Sequence, residues 1–364
     1  MRTLTLVHAR GPRPPLAELE RREAADEAPR ITLYEKHLHS DMLDEHALAR
    51  VDGLRGRLYR RLPVRIAQVL EAYLRRKDYD AIVTWAEDLG VALAALQKVT
   101  GDRTPHVALF GWISKRRKAV LLRRLHGGID RIILWSTVQY DFAVRELGIP
   151  PERIVLLRWL VDTKFWRPLG APADMICSAG REMRDYATLI AAMRGWDVRC
   201  HIAANPGAGR RDRWMREVRE NGPLPQNVTM GSMSFRELRD LYARSRFVVL
   251  PILPTDTDNG VTAMLEAMAM GKAVICSRVA GQRDVLRDGV SGIFVPPEDP
   301  RALRKAMEFL WTHPEECERM GRAGRQQVEE LHAFDRWVAD VRTVVEDAIA
   351  NGRAAGRSRG DLAR

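Results

Sequence analysis

Two carboxylates, Asp258 and Glu266, stand on either side of a short turn where a loop becomes a helix. The loop, with Asn259 and Gly260, follows the β-rich run 247–250. The apolar helical stretch that carries Glu266 ends at Gly271, before a second β-rich run, 273–275. In an open α/β sheet such a loop lies at the carboxyl edge of the strands, where ligands bind. The amides that open the helix lack intrahelical partners and carry the positive end of its dipole, which suits a phosphate. Glu266, about one turn into the helix, is placed to accept hydrogen bonds from vicinal hydroxyls. A sugar nucleotide offers both groups, a phosphate and a diol.

The elements that must position these residues alternate along the chain. In the first half, strand-like runs occur at 4–7, 31–34, 81–84, 106–110, 131–135 and 154–157. Between them lie a long helical stretch, 47–76, whose Val64, Ile66, Val69, Leu70 and Leu74 form one broad face, and a second, 89–99. The second half repeats the rhythm with strand-like runs at 175–177, 198–202, 247–250, 274–275 and 292–295. Strands separated by helices argue for parallel sheets covered on both faces, hence an α/β fold. The Pro/Gly-marked stretch 162–172 reads as the connection between two domains, 1–165 and 166–333. The helical stretch 334–350 is expected to rejoin the first domain, and the tail 351–364, without apolar period, to be disordered. Two such domains facing a cleft can bind one substrate each and exclude water on closing. His8 and Gly11 follow the first strand, and Glu87 and Asp88 follow the strand at 81–84, so all four are candidates for the cleft. Asp88 also reads as the N-cap of the next helix.

Composition narrows the classes. At 364 residues, with 46% apolar and 29% charged side chains, the chain has the profile of a globular protein of two domains. No apolar run is long enough for a membrane-spanning helix, and the first residues read as a strand rather than a signal peptide. The scattered cysteines Cys177, Cys200, Cys276 and Cys317 have no metal-ligand spacing and read as reduced core thiols of a cytoplasmic protein. A net charge of +11 calls for a partner or for solvated basic faces. Basic residues cluster between Arg55 and Arg65, at Arg75-Arg76-Lys77, and between Lys115 and Arg124. In the last of these, apolar Ala119 to Leu122 adjoin the cations, the pattern of a contact with an anionic membrane on its inner face. No nucleic-acid-binding module is present.

Several motifs, in consistent order, resemble glycosyltransferase family 4. Residues 178–192, Ser-Ala-Gly-Arg-Glu-Met-Arg-Asp-Tyr and onward, resemble its Gly-Arg loop. Residues 258–275 resemble its Glu-x7-Glu region, with Asp258 in place of the first Glu. Residues 161–168 and 278–297 resemble the interdomain phrase and the segment after the Glu region. The likeness covers most of 160–330 and thins before 130. It implies the GT-B arrangement of two Rossmann-like domains with parallel sheets facing a central cleft. It further implies transfer of a hexose-type sugar from a nucleoside-diphosphate sugar to an acceptor hydroxyl, lipid-linked or not, with retention at the anomeric carbon. Neither an essential metal nor another cofactor is implied. Gly180, Arg181 and Arg184 would meet the donor diphosphate, Arg184 standing where a Lys is usual. Asp258 would contact the donor sugar and Glu266 the ribose. Asp256 or Asn259 would share the task of Asp258, and Gly260, Val261 and Thr262 would present backbone amides to phosphate. No side-chain base is implied, because the leaving phosphate takes the acceptor proton. Asp256-Thr257-Asp258 also spells the Asp-x-Asp pattern that binds metal in other glycosyltransferases, a match of low specificity. The competing expectation is a catalytically silent nucleotide-sugar-binding partner of the same fold, motivated by the shortened first carboxylate and the missing Gly-aromatic-Gly pattern.

Overall fold

The computed structural model describes residues 1–7, 13–204, 220 and 222–360, with backbone alone for 353–360. The chain divides into two compact units. One comprises 1–21, 31–158 and 335–364, the other 22–30 and 159–334. The division falls at Trp159 rather than at 166, and a short segment, 22–30, packs with the second unit. Buried Asp162 explains both facts. It accepts hydrogen bonds from the Arg30 backbone amide at 2.8 Å, from the Arg30 Nη2 at 2.6 Å and from the Lys164 amide at 3.1 Å. The segment is held again at Asp26, which Arg167 and Arg239 grip so firmly that its carboxyl stays far below the usual carboxylate range.

In the first unit, strands β1 (Thr3–Val7), β2 (Ser40–Leu43), β3 (Ala81–Trp85), β4 (His106–Leu109), β5 (Arg131–Leu134) and β6 (Ile154–Leu156) form one parallel sheet in the order β2-β1-β3-β4-β5-β6. Helices α1 (Leu16–Ala24), α2 (Leu33–Leu38), α3 (Glu45–Ala49), α4 (Gly53–Tyr59), α5 (Val64–Arg75), α6 (Glu87–Thr100), α7 (Arg116–Leu125) and α8 (Thr137–Arg145) follow the strands. The strand expected at 31–34 is instead the entry to α2. Tyr34 and Leu38, four residues apart, share its buried face, and the Tyr34 hydroxyl pairs with Thr5 Oγ1 at 3.2 Å. The strand role passes to β2, a half-exposed edge strand that tolerates Ser40 and Asp41. The helix expected over 47–76 is three helices, broken at Gly53, whose φ is +71°, and at Pro63. Its buried face is Ala67, Gln68, Val69, Glu71 and Ala72. Val64, Ile66 and Leu74, read as core, are exposed.

In the second unit, β7 (Met175–Ala179), β8 (Arg199–Ala203), β9 (Val228–Gly231), β10 (Ser245–Leu250), β11 (Ala273–Ser277) and β12 (Gly292–Val295) form a second parallel sheet, ordered β12-β11-β10-β7-β8-β9. Helices α9 (Tyr186–Met193), α10 (Phe235–Arg244), α11 (Val261–Ala269), α12 (Pro300–Thr312) and α13 (Pro314–Leu331) accompany it. Both faces are covered: one apolar cluster centres on Cys177, Leu250 and the apolar side chains of α11, the other on Ile176, Leu189 and Met307. This is the doubly wound arrangement, in which β7 is followed outward by β8 and β9 and the chain then returns to lay β10 on its other side. The final helix α14 (Phe334–Gly360) joins the first unit from Asp335, stacking Trp337 on Trp85 at 5.4 Å. It continues to Gly360, so the tail expected to be irregular is helical as far as that residue; 361–364 lie outside the described residues. Among the described residues no helix is long and apolar enough to cross a membrane.

Candidate functional site

β7 and β10 are neighbours whose successors leave in opposite directions, so the loops after them open a crevice at the carboxyl edge of the second sheet. The two loops are stitched together. The Asp185 amide donates to the Pro251 carbonyl at 2.9 Å, the Leu253 amide donates to the Met183 carbonyl at 2.9 Å, and Arg184 bridges to Ile252. Asp185 also caps α9, its Oδ1 accepting from the Thr188 amide at 3.3 Å and its Oδ2 from the Thr188 hydroxyl at 2.6 Å. Burial of Asp185 and Tyr186 in this corner fixes the loop between them and β7.

Gly180 and Gly260 are needed here. Both have φ of +99°, in the region that favours glycine, and both face the Arg184 guanidinium. A Cβ on Gly180 would strike that group, and one on Gly260 would lie 3.1 Å from its Nη1. Arg184 is steadied by two carbonyls, its Nε donating to Ala179 at 2.9 Å and its Nη1 to Glu182 at 2.8 Å. One cation therefore lies against both glycine turns. Arg181, in contrast, is exposed, and among the described residues no hydrogen bond or ion pair joins its side chain to another group.

Gly260 is the N-cap of α11, with no side chain closing the helix end. Every residue of α11 except Thr262 is buried, including Glu266. Burial pushes the Glu266 carboxyl up to about 8, although the Tyr242 hydroxyl, donating to Oε2 at 3.2 Å, and the nearby Arg184 both pull it down. Asp258 is also buried and is pushed up to about 7 by burial, against the Thr257 hydroxyl that donates to Oδ1 at 3.2 Å. Its Oδ2 is buried without a hydrogen-bond partner among the described residues. Asn259 faces its own loop, donating to Thr255 Oγ1 at 3.1 Å, while its carbonyl accepts from Gln282 at 2.7 Å. Thr262 Oγ1 accepts from the Trp159 indole at 3.0 Å. Asp256 is exposed while Asp258 is buried, and no group of three or more metal-ligating side chains lies together among the described residues.

Arg184, Gly180, Gly260, Val261 and Glu266 thus meet at one crevice, with Asp258 one turn away across Gly260. No contact brings Arg181 to that group. Tyr242, Trp159, Thr257 and Gln282 also belong to the site. In the sequence they are indistinguishable from core or loop residues, since Tyr242, Trp159 and Gln282 touch Glu266, Thr262 and Asn259 from distant parts of the chain and Thr257 is marked only by its neighbour Asp258. A positive guanidinium beside an open helix N-terminus can bind a diphosphate, and buried carboxyls that hold a proton near neutrality can donate to or accept from sugar hydroxyls.

In the first unit, His8 and Gly11 lie outside the described residues. Glu87 does not stand free to orient a hydroxyl. Its Oε1 accepts from the amides of Gly111 at 3.0 Å and Trp112 at 2.7 Å, and its Oε2 from Lys118 at 2.8 Å. Burial opposes the charged form of Glu87, but Lys118 and the Trp112 amide outweigh it and hold the carboxyl below its usual value. Asp88 is not the N-cap of α6. Ala86 is, and Asp88 lies within the first turn, bonded to the Leu89 amide and paired with Arg65.

Residues 183–313 match the family model of the glycosyl transferases group 1. The match takes in Arg184, Asp258 and Glu266 and leaves out Gly180 and Arg181. The chain is 27% identical over 184 residues, half of its length, to the D-inositol 3-phosphate glycosyltransferase of Thermobifida fusca, and spans 40% of that curated relative. Among solved structures, sucrose-phosphate synthase from Thermosynechococcus elongatus superposes with a TM-score of 0.74 at 17% identity, covering 96% of this chain and all of that one. The Anabaena protein HepE, solved with UDP and glucose, superposes at 0.70 with 16% identity, covering 95% and 99%. The fold class is that of the GT-B glycosyltransferases.

Proposed function

We propose that the protein is a retaining glycosyltransferase that moves a hexose-type sugar from a nucleoside-diphosphate sugar to an acceptor hydroxyl, with no metal or other cofactor. The observation that carries this reading is the Arg184 guanidinium set between Gly180 and Gly260, beside the open end of α11 and near Glu266. A departing nucleoside diphosphate gains negative charge as its bond to the sugar breaks. A cation fixed beside helix amides stabilises that charge without having to reorganise. Arg181, exposed and uncommitted, supplies the second cation once a donor is bound. Glu266, held by Tyr242, receives the ribose hydroxyls, and Asp258 Oδ2 takes a hydroxyl of the donor sugar. That HepE was solved with UDP and glucose supports a nucleotide sugar as the donor class. The acceptor is a glycan, a glycolipid or a metabolite, and the basic stretch between Lys115 and Arg124 is its proposed meeting point with an anionic membrane surface.

The test is to purify Arg184→Ala and Glu266→Ala variants, verify their thermal unfolding, and assay sugar transfer together with donor hydrolysis in the absence of acceptor. Loss of both activities in the variants, with hydrolysis in the parent protein, is expected. Undiminished transfer in both variants would remove these residues from the site. A parent protein that binds the donor yet releases no sugar under any condition would be a silent binder. Transfer should persist in a chelator; its loss there would make the reaction metal-dependent.

A further inference from the structure

The first unit carries a second basic surface, at the corner where α4 meets α5. Leu54, Arg57, Leu58 and Arg61 recur at three- and four-residue spacing, and all are exposed, Leu54 by 79%. Beyond Pro63, Val64 and Ile66 open α5 with their side chains also in solvent, Ile66 by 49%. The inward faces of the same helices are filled. Gly56 and Tyr59 are buried, and a Cβ on Gly56 would strike the Val51 carbonyl, so α4 lies flush and its outer face points away from the core. The Tyr59 hydroxyl donates to Glu71 Oε2 at 3.0 Å and locks α4 onto α5.

The charge on this corner is one-sided. Arg55 and Arg65 are held by Glu71 and Asp88. The side chains of Arg57, Arg60 and Arg61 make no ion pair or hydrogen bond among the described residues, and the exposed acid at the corner is Asp52. In α7, by contrast, Lys118 is tied to Glu87, and Lys115 lies 3.7 Å over the Trp112 ring.

We propose that this corner docks on an anionic lipid bilayer, with Leu54, Leu58, Val64 and Ile66 entering the interface and Arg57, Arg60 and Arg61 meeting lipid phosphates. Exposed aliphatic side chains interleaved with uncommitted arginines match both halves of such a surface. A second copy of the chain fits poorly, because a two-fold contact would set these arginines against their own copies. Nucleic acid fits poorly too, because bases are gripped by exposed aromatic rings and the corner's tyrosine, Tyr59, is buried. The corner also has a fixed address. Gln68 Nε2 donates to the carbonyls of Val7 and Leu43 at 2.7 Å each, which places the start of α5 at the carboxyl edge of the first sheet. Docking there would bring that edge next to lipid-borne hydroxyls. The proposal itself does not depend on sugar transfer.

The experiment is co-sedimentation of the full chain with vesicles of phosphatidylcholine, alone or mixed with phosphatidylglycerol. The variants are Leu54→Ser/Leu58→Ser/Ile66→Ser and Arg57→Gln/Arg60→Gln/Arg61→Gln, each substituted at exposed positions. Thermal unfolding and light scattering are recorded alongside. Binding to the mixed vesicles is expected to exceed binding to neutral ones, to weaken with salt, and to fall by about tenfold or more in each variant. Neutralising Lys115, Arg116, Arg117 and Lys118 should weaken binding without abolishing it. Equal binding of neutral and anionic vesicles would overturn the proposal, as would undiminished binding in either variant. So would complete loss on neutralising the α7 cations alone. A change of oligomeric state in the leucine variant with vesicle binding intact would assign the corner to a second copy. Loss of oligonucleotide retention with vesicle binding intact in the arginine variant would assign it to nucleic acid.

Discussion

Glu266 and Asp258 make the site sensitive to pH at the level of single atoms. Both carboxyls have folded-state values raised above the unfolded ones, to about 8 and about 7, chiefly by burial. Between the ordinary carboxylate range and those values, these two groups bind more protons in the fold than in the unfolded chain, so their contribution to the stability of the ligand-free protein falls as pH rises, whereas His106, His126 and His201, lowered by burial, contribute with the opposite sign below the ordinary histidine range. Denaturant unfolding measured at each pH from 5 to 8 should show the parent losing stability relative to Glu266→Gln, which cannot ionise, as pH rises. A variant as pH-dependent as the parent would mean that Glu266 ionises freely in the fold. Tyr242→Phe removes the hydroxyl that helps Glu266 ionise. It should therefore move the acidic limb of nucleotide binding to higher pH while leaving Arg184 in place; an unmoved limb would make Tyr242 only a core side chain.

The element that most needs its particular residues is the loop between β10 and α11. Gly281 donates to the Thr255 carbonyl at 3.2 Å, and a Cβ there would strike the backbone of Thr257. Gly281→Ala should displace the carboxylate loop, weakening nucleotide binding more than it lowers the thermal midpoint; normal affinity would show that the loop does not shape the site. α10 offers a simpler check. Ser234 and Glu237 form a reciprocal cap at its start, and Ser234→Ala should cost about 1 kcal/mol of stability by chemical denaturation. The sequence marked the central strands well, because β3, β4, β10 and β11 are buried on both faces and each carries a run of three or four apolar residues. Of the four edge strands it marked β6 and β12 but missed β2 and β9. β2 and β9 are flanked on one side only and carry Ser40, Asp41, Thr229 and Gly231, so their composition does not separate them from loops. Amphipathic spacing likewise failed in α5, whose outward apolar residues imitate a core face. A shared place for Arg184, Gly180 and Gly260 was implied by the resemblance of two motifs to a known family, but the partner that seats Glu266, Tyr242, comes from elsewhere in the chain.

At the scale of the whole molecule, two parallel sheets supply two carboxyl edges, and the second unit holds the nucleotide-binding candidates. A ligand that binds only the folded form stabilises it by mass action, about 2.7 kcal/mol at a hundredfold excess over Kd. Among nucleoside diphosphates in a thermal-shift screen, one base should raise the unfolding midpoint more than the others, and no shift with any of them would leave the crevice without a ligand. The most direct measurement compares affinities for that nucleoside diphosphate and for its bare nucleoside in the parent, in Arg184→Ala and in Glu266→Gln. One lost charge-assisted bond is worth about 1.5–3 kcal/mol, roughly tenfold to a hundredfold in Kd. Arg184→Ala should lose that much for the diphosphate and nothing for the nucleoside, whereas Glu266→Gln should weaken both. Parent-like diphosphate binding in Arg184→Ala would contradict the account at its centre.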